Sequence, residues 1–345
     1  VKVGFTFDLK THYTLGKNDP EDLYAELDDE ETVDAVRRAL MRSGHEIIPI
    51  GNAFELLKRA RPGAPDFDIV FNICEGLRGR NREAQVPVIL EMMGIPYVGS
   101  DGLTLSLTLD KMLAKKVLMS EGILTPRSFI ASSRDDIPRD IPYTFPLIVK
   151  PCYEGSSKGL TDESLVKDRA ALERQIEKIT GVYKQPVLVE EFISGMEFTV
   201  AIIGNEDPLI LEPIQVSIDG DLDLGERFYT YTLLMSPKEE LQYVCPAKIS
   251  DALKNKLKET ALRAYRAFDC KDFGRVDFRT DARENVYVLE TNPLPSLHTD
   301  DAFGVIPPVM GKTYDDMVMM VLNAGIARHG LGSKNDSLHK SLLWH

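Results

Sequence analysis

Two short segments near the C-terminal end of the chain each finish in oxygen donors suited to a hard cation: Gly274-Arg275-Val276-Asp277-Phe278 and Val286-Tyr287-Val288-Leu289-Glu290-Thr291-Asn292. The stretch between them, Arg279-Thr280-Asp281-Ala282-Arg283-Glu284-Asn285, is polar and turn-like. Alternation in the second segment and the charged linker together predict an antiparallel hairpin. Pairing across that turn can set Asp277 opposite Glu290, with Asn292 one same-face step further. Two carboxylates and an amide oxygen beside Arg275 form a donor set for Mg²⁺ or Mn²⁺ and a polyphosphate. The competing reading is an ordinary charged hairpin, and this segment alone does not separate the two.

Two further segments carry phosphate- or nucleotide-directed chemistry. Lys150-Pro151-Cys152-Tyr153-Glu154-Gly155-Ser156-Ser157-Lys158-Gly159 follows the apolar run Leu147-Ile148-Val149. A Gly/Ser loop after a strand can fold N–H groups and hydroxyls over phosphate oxygens, although the spacing is not that of a Walker loop and a plain connection is the alternative. Val187-Leu188-Val189 runs into Glu190-Glu191-Phe192-Ile193 and then Ser194-Gly195-Met196-Glu197. Unpartnered carboxylates at the end of a buried strand are costly. A nucleotide would partner them, one carboxylate on the adenine amine and another on the ribose; an acidic strand end in solvent is the alternative.

The elements that must position these groups alternate between strand and helix. Strands are predicted at 1–7, 45–50 and 67–72, with helices at 29–43 and 85–93 stopped by Gly44 and Gly94. This is a small, mainly parallel α/β unit over about residues 1–100. Beyond it a helix is predicted at 108–121, strands at 128–131 and 146–151, a charged helix at 167–180, and strands at 187–192, 197–203 and 209–216. Residues 217–246 read as a mobile loop, 253–268 and 315–327 as helices, and the polar tail 330–345 as partly disordered or docked on a neighbour.

A net charge of −13 argues against a general nucleic-acid binder, and no apolar run approaches a membrane span. Cys74, Cys152, Cys245 and Cys270 show no metal or disulfide spacing, and residues 1–10 read as strand rather than secretory signal, so a cytoplasmic protein is expected.

Order makes the separate signals specific. Leu109-Asp110-Lys111, Ile148-Val149-Lys150-Pro151, Glu154-Gly155-Ser156-Ser157, Glu190-Glu191-Phe192-Ile193, Glu197-Phe198-Thr199-Val200, Gly274-Arg275-Val276-Asp277 and Glu290-Thr291-Asn292-Pro293 succeed one another. Over about residues 67–325 this resembles the ATP-grasp superfamily, most closely its D-alanine–D-alanine ligase branch. The resemblance implies three α/β domains with ATP between the last two, here 1–100, 101–184 and 185–329 before the tail. It also implies roles. Lys111 and Lys150 would contact ATP phosphates, with Gly155, Ser156 and Ser157 covering them; Ser156 and Arg275 would serve catalysis. Glu190 would meet the adenine amine, the backbone of Glu191 and Ile193 the adenine edge, and Glu197 the ribose; Asp277, Glu290 and Asn292 would hold the metal. The implied reaction makes an acyl phosphate from a carboxylate and ATP and joins it to an amine, with a closing loop excluding water.

Substrate-facing motifs depart from that branch. Its N-terminal Gly-Gly-x-Ser-x-Glu signature is absent, and its loop Ala-Lys-Tyr is replaced within Tyr229-Thr230-Tyr231-Thr232-Leu233-Leu234-Met235. Pro295-Ser296-Leu297-His298 replaces Pro-Gly-Met-Thr, and its His-Gly segment becomes Glu75-Gly76-Leu77-Arg78-Gly79-Arg80-Asn81-Arg82-Glu83. Arg80, Glu83, Ser296 and His298 are therefore candidate substrate contacts. Arg78, Arg80 and Arg82 read either as a solvated loop or as a carboxylate clamp, which would favour a larger or acidic substrate. The expected protein is a ligase acting on small-molecule amino acids, as a homodimer, and the amino-acid pair stays open. A nucleotide-binding regulator without turnover, or a ligase of specialised metabolism, is the alternative.

Overall fold

Three sheets carry the chain, each built from strands consecutive in sequence. The computed structural model describes residues 1–14, 16–17, 19–59, 66–234 and 240–331. In the first sheet, β1 (Lys2–Thr6), β2 (Glu46–Gly51), β3 (Ile69–Asn72) and β4 (Tyr97–Val98) run parallel in the order β2-β1-β3-β4. Helix α1 (Glu30–Arg42) buries Val33, Val36, Ala39 and Leu40, the stripe its spacing predicts, and Asp29 caps it by accepting from the Thr32 N–H. Helices α2 (Ala53–Arg59) and α3 (Gln85–Met93) follow, and α3 ends at Gly94 in the left-handed conformation.

The single helix expected at 108–121 is two, α4 (Gly102–Leu109) and α5 (Lys111–Ser120). Asp110 between them is extended, and its carboxylate accepts from the Leu113 N–H, so the side chain that breaks one helix caps the next. The second sheet pairs β5 (Ser128–Ala131), β6 (Leu147–Pro151), β7 (Leu165–Val166) and β8 (Val187–Glu191) antiparallel in the order β5-β8-β6-β7. Its apolar face packs on Leu172, Ile176 and Ile179 of α6 (Arg169–Tyr183).

The third sheet contains β9 (Glu197–Ile203), β10 (Leu209–Ile210), β11 (Ile214–Ile218), β12 (Leu241–Val244), β13 (Phe273–Thr280) and β14 (Val286–Asn292). Its order is β12-β11-β9-β13-β14, with β10 on β9. Residues 217–246 are therefore not one loop: β12 pairs back on β11, and a short helix α7 (Tyr231–Leu234) lies between them. Residues 235–239 of that stretch, and 332–345 of the tail, fall outside the described residues. Helix α8 (Asp251–Ala267) covers the sheet, and α9 (Ala302–Val305) and α10 (Tyr314–Arg328) close the chain.

The first and third sheets share one core, in which Phe5 and Phe71 join Ala201, Phe273, Met317 and Val321. Fully buried Asp272 fastens this junction, accepting from the Gly99 N–H at 2.8 Å and from Arg328 Nε and Nη2 at 2.9 and 2.7 Å. These bonds tie the segment after β4 and helix α10 to the start of β13.

Candidate active site

The β13–β14 hairpin sets Arg275 opposite Asn292 and Asp277 opposite Glu290, the pairing expected from the sequence, and a bulge follows Asp277. Arg275 donates to both oxygens of Asp277, at 3.0 and 2.9 Å. The Thr199 hydroxyl and the Asn292 amide nitrogen donate to the same carboxylate at 2.6 and 2.9 Å. Glu290 accepts from Lys111 Nζ at 2.8 Å, because the Asp110 break starts α5 at Lys111. Burial alone would raise Glu290; Lys111 and Lys150 outweigh it and hold the carboxyl at about 2. Burial raises Asp277, against the opposing charge of Arg275.

Hard oxygen donors beside two cations fit a divalent metal that shares phosphate oxygens. Among the described residues no group of three or more acids, histidines or cysteines could hold a metal ion. Asp277, Glu290 and the Asn292 amide oxygen would thus supply part of a coordination shell that a polyphosphate completes.

Across the cavity, β6 and β8 present Lys150 and Glu190. Glu190 is 2% exposed and lies 2.5 Å from Lys150 Nζ and 2.7 Å from Lys115 Nζ. Its two oxygens face the two lysines, Oε1 towards Lys150 and Oε2 towards Lys115, on the cavity lining where the adenine-amine contact is expected. Lys115 was not foreseen; its signal was the four-residue step from Lys111, which sets both on one face of α5. The Glu191 N–H bonds the Arg127 carbonyl at 3.0 Å and its carboxylate meets the Arg127 side chain, so the backbone N–H is already committed. Ile193 lines the cavity. Glu197 on β9 stands opposite Arg279 on β13, their charged groups 3.6 Å apart; burial raises its carboxyl, against the pull of Arg279.

The loop of Gly155, Ser156 and Ser157 closes a third side, both serines in the left-handed region. It is pinned by acids from the segment before α1. Glu26 accepts from the Gly155 N–H and from Lys158 Nζ, and Asp22 accepts from the Gly159 N–H at 2.7 Å. A Cβ on Gly155 would come within 2.8 Å of Glu26 Oε1, so any side chain there would push on the carboxylate that holds the loop. The cavity between these walls measures about 920 Å³.

Of the two readings of the arginine loop, the clamp does not form on the cavity. Arg82 is 3% exposed and spends its guanidinium on Glu26, Glu154 and the Tyr153 carbonyl. Arg80 lies over the Tyr153 ring, 3.7 Å from Asp110, and neither it nor Arg78 lines the cavity. Glu83, Ser296 and His298 do line it. His298 Nδ1 accepts from the Asp300 N–H at 3.1 Å, while Nε2 lies 4.0 Å from Asp29. The same wall brings in Asp28 and Glu75, which the sequence reading left out.

Fold and cavity together define an ATP-dependent ligase of ATP-grasp architecture. A family model of the D-ala D-ala ligase C-terminus matches residues 131–323. The D-alanine–D-alanine ligase of Carboxydothermus hydrogenoformans is 34% identical over 307 residues, covering 86% of this chain and 92% of its own length. The uncharacterised protein y4sG of Sinorhizobium fredii is 32% identical over 305 residues, with 86% and 88% covered. The crystal structure of the D-alanine–D-alanine ligase of Bacillus anthracis complexed with ATP shares the fold, with a TM-score of 0.72 at 22% identity over 96% of this chain and 99% of that one. The chain belongs to the D-alanine–D-alanine ligase family of ADP-forming ligases.

Proposed function

We propose that this chain joins a carboxylate to an amine at the expense of ATP, in the cavity between the β13–β14 hairpin and the Gly155–Ser157 loop, with an amino acid as at least one substrate. One observation carries the reading: Asp277 and Glu290 stand in register on adjacent strands, already neutralised by Arg275 and Lys111. A carboxylate is a poor electrophile because oxide would have to leave. Transfer of the γ-phosphoryl group to its oxygen, with cleavage of the bond to ADP, gives an acyl phosphate. The amine nitrogen then attacks the acyl carbon, and phosphate departs with the bonding electrons and the surplus amine proton. A divalent cation held by Asp277, Glu290 and Asn292 would supply charge neutralisation for the polyphosphate.

This chain's own groups do the rest. Lys111 and Lys150 face phosphate charge, Arg275 offsets charge developing on the transferred group, and Glu197 is the carboxylate available to ribose hydroxyls. The Gly155–Ser157 loop offers N–H groups and hydroxyls as a cover that keeps water from the acyl phosphate. The relatives' names bring D-alanine as the starting substrate to assay, and a reduced compartment such as the cytoplasm suits four free thiols. The test is ADP release from Mg-ATP with and without added amino acids and amines. Release that depends on the added substrate and stops on chelation is expected; nucleotide binding without such release by any substrate would overturn the reading.

A further inference from the structure

Most acids lining the cavity have a cation of their own. Glu26, Glu154, Glu190, Glu197, Asp277 and Glu290 each lie within ion-pair reach of a Lys or Arg. Three lining acids break this pattern: Asp28, Glu75 and Glu83 have no side-chain hydrogen bond or ion pair among the described residues. Lys10 lines the same wall without pairing to any of them. Asp28 precedes α1, while Glu75 and Glu83 both lie on the connection from β3 to α3, and the first sheet gathers them beyond the carboxyl ends of its strands, where open α/β sheets receive ligands. They extend from the reaction centre outwards. Glu83 interacts with Lys111 and Glu290, Glu75 with Glu83 and Asp28, and Asp28 with Asp29, which faces His298.

Three carboxylates without an ion pair, each partly exposed in the cavity beside one unpaired lysine, leave a net negative wall that the fold does not neutralise. We propose that Asp28, Glu75 and Glu83 form a recognition wall for a substrate carrying a cationic group in addition to its reacting amine or carboxylate: a basic amino acid or a diamine. The α-ammonium group of a neutral amino acid would answer one of the three carboxylates; a side-chain ammonium or guanidinium answers a second, and Lys10 offsets the third. The condition of the three carboxyls agrees. Burial lifts Asp28 and Glu83 to about 8 and Glu75 well above its usual range; neighbouring acids add to each shift, while Lys10 opposes it at Asp28 and Arg82 at Glu75 and Glu83 without cancelling it. The wall also reverses the charge preference that the three arginines suggested, since Arg82 and Arg80 are engaged elsewhere and Arg78 does not line the cavity.

The inference rests on the ligase reading but fails separately from it. With the full chain and Mg-ATP, kcat/KM for ADP release is measured for ornithine, diaminobutyrate, arginine and putrescine against norvaline, alanine and glutamate, in both enantiomers where they exist. Ornithine is expected to exceed norvaline, which lacks only its terminal amine, by at least tenfold, and Glu75→Gln combined with Glu83→Gln to shrink that ratio at least tenfold. Asp28→Asn alone is the second variant, expected to lower the ratio severalfold, should the double substitution impair folding. Norvaline or glutamate matching ornithine, or a ratio unmoved by the variants, overturns the proposal while leaving the ligase intact. If no substrate drives ADP release, the ligase reading falls, and calorimetric titration of ornithine and norvaline in the presence of a non-hydrolysable ATP analogue decides the wall on its own: tenfold tighter ornithine supports it, equal binding overturns it.

Discussion

Lys115 and Glu190 form an ion pair of 2.7 Å in which each side chain is 2% exposed. Lys115 also donates to the Thr125 hydroxyl at 2.7 Å and the Pro126 carbonyl at 3.0 Å, so its ammonium is held from two further sides. Burial draws its ammonium down to about 8, although Glu190 pulls in the opposite direction. Lys115→Met leaves Glu190 with Lys150 alone in a site closed to water. We expect a loss of about 3–5 kcal/mol in urea unfolding, the usual cost of stripping one partner from a buried pair. Adding Glu190→Gln should recover part of it, since the stranded charge goes too. A single mutant within about 1 kcal/mol of wild type would mean that Lys150 neutralises Glu190 unaided.

Glu290 differs in being 30% exposed and bound to one lysine. Glu290→Gln should therefore cost little stability, yet remove half the carboxylate charge offered to a metal. The expected result is at least a hundredfold fall in amino-acid-dependent ADP release with a melting temperature within a few degrees of wild type. Affinity for Mg-ATP should drop more than affinity for ATP in excess chelator. Equal losses in both would assign Glu290 to phosphate electrostatics through Lys111 rather than to a metal.

How much of this was legible beforehand differs between the two sides of the cavity. The β13–β14 hairpin was readable because alternation, turn chemistry and ligand residues all lie within Gly274 to Asn292, so local rules suffice. Lys115 on Glu190 was not, because it depends on α5 packing beside β8. The arginines misled for the same reason. Arg82 looked like a free cation in a polar loop, and its partners Glu26 and Glu154 come from distant segments that only the fold brings together. Glu83 read as a substrate contact, but Asp28 and Glu75 were not singled out; the convergence of the three is a property of parallel strand ends, which sequence spacing does not reveal.

Glu26 links substrate wall and phosphate loop, and that link is testable. It receives the Gly155 N–H as well as the side chains of Arg82 and Lys158. Glu26→Gln keeps the shape but weakens the hold on the loop, so KM for ATP should rise severalfold with a smaller change in kcat. Gly155→Ala attacks the same contact from the other side, since its methyl would press on Glu26 Oε1. Similar kinetic shifts are expected from both. An unchanged KM for ATP in Glu26→Gln would show that the loop sets itself without the first sheet's help.

Asp28 gives the acidic wall a signature in stability alone. Its carboxyl rises from 3.8 to about 8, through burial first and then the neighbouring charge of Asp29 and Asp8, with Lys10 opposing. Glu75, Cys74 and Tyr314 also lie within its electrostatic reach. Between those two values the folded state holds a proton that the unfolded chain has released. Stability therefore falls as pH rises through this window, by up to about 1.4 kcal/mol per pH unit for one full proton. Asp28→Asn removes that proton from both states. The mutant should gain on wild type steadily from pH 5 to pH 8 in parallel urea titrations of the ligand-free protein, with the remaining slope coming from Glu75 and Glu83. A difference between the two proteins that stays constant across the window would show that Asp28 is ionised throughout and already has its counter-ion.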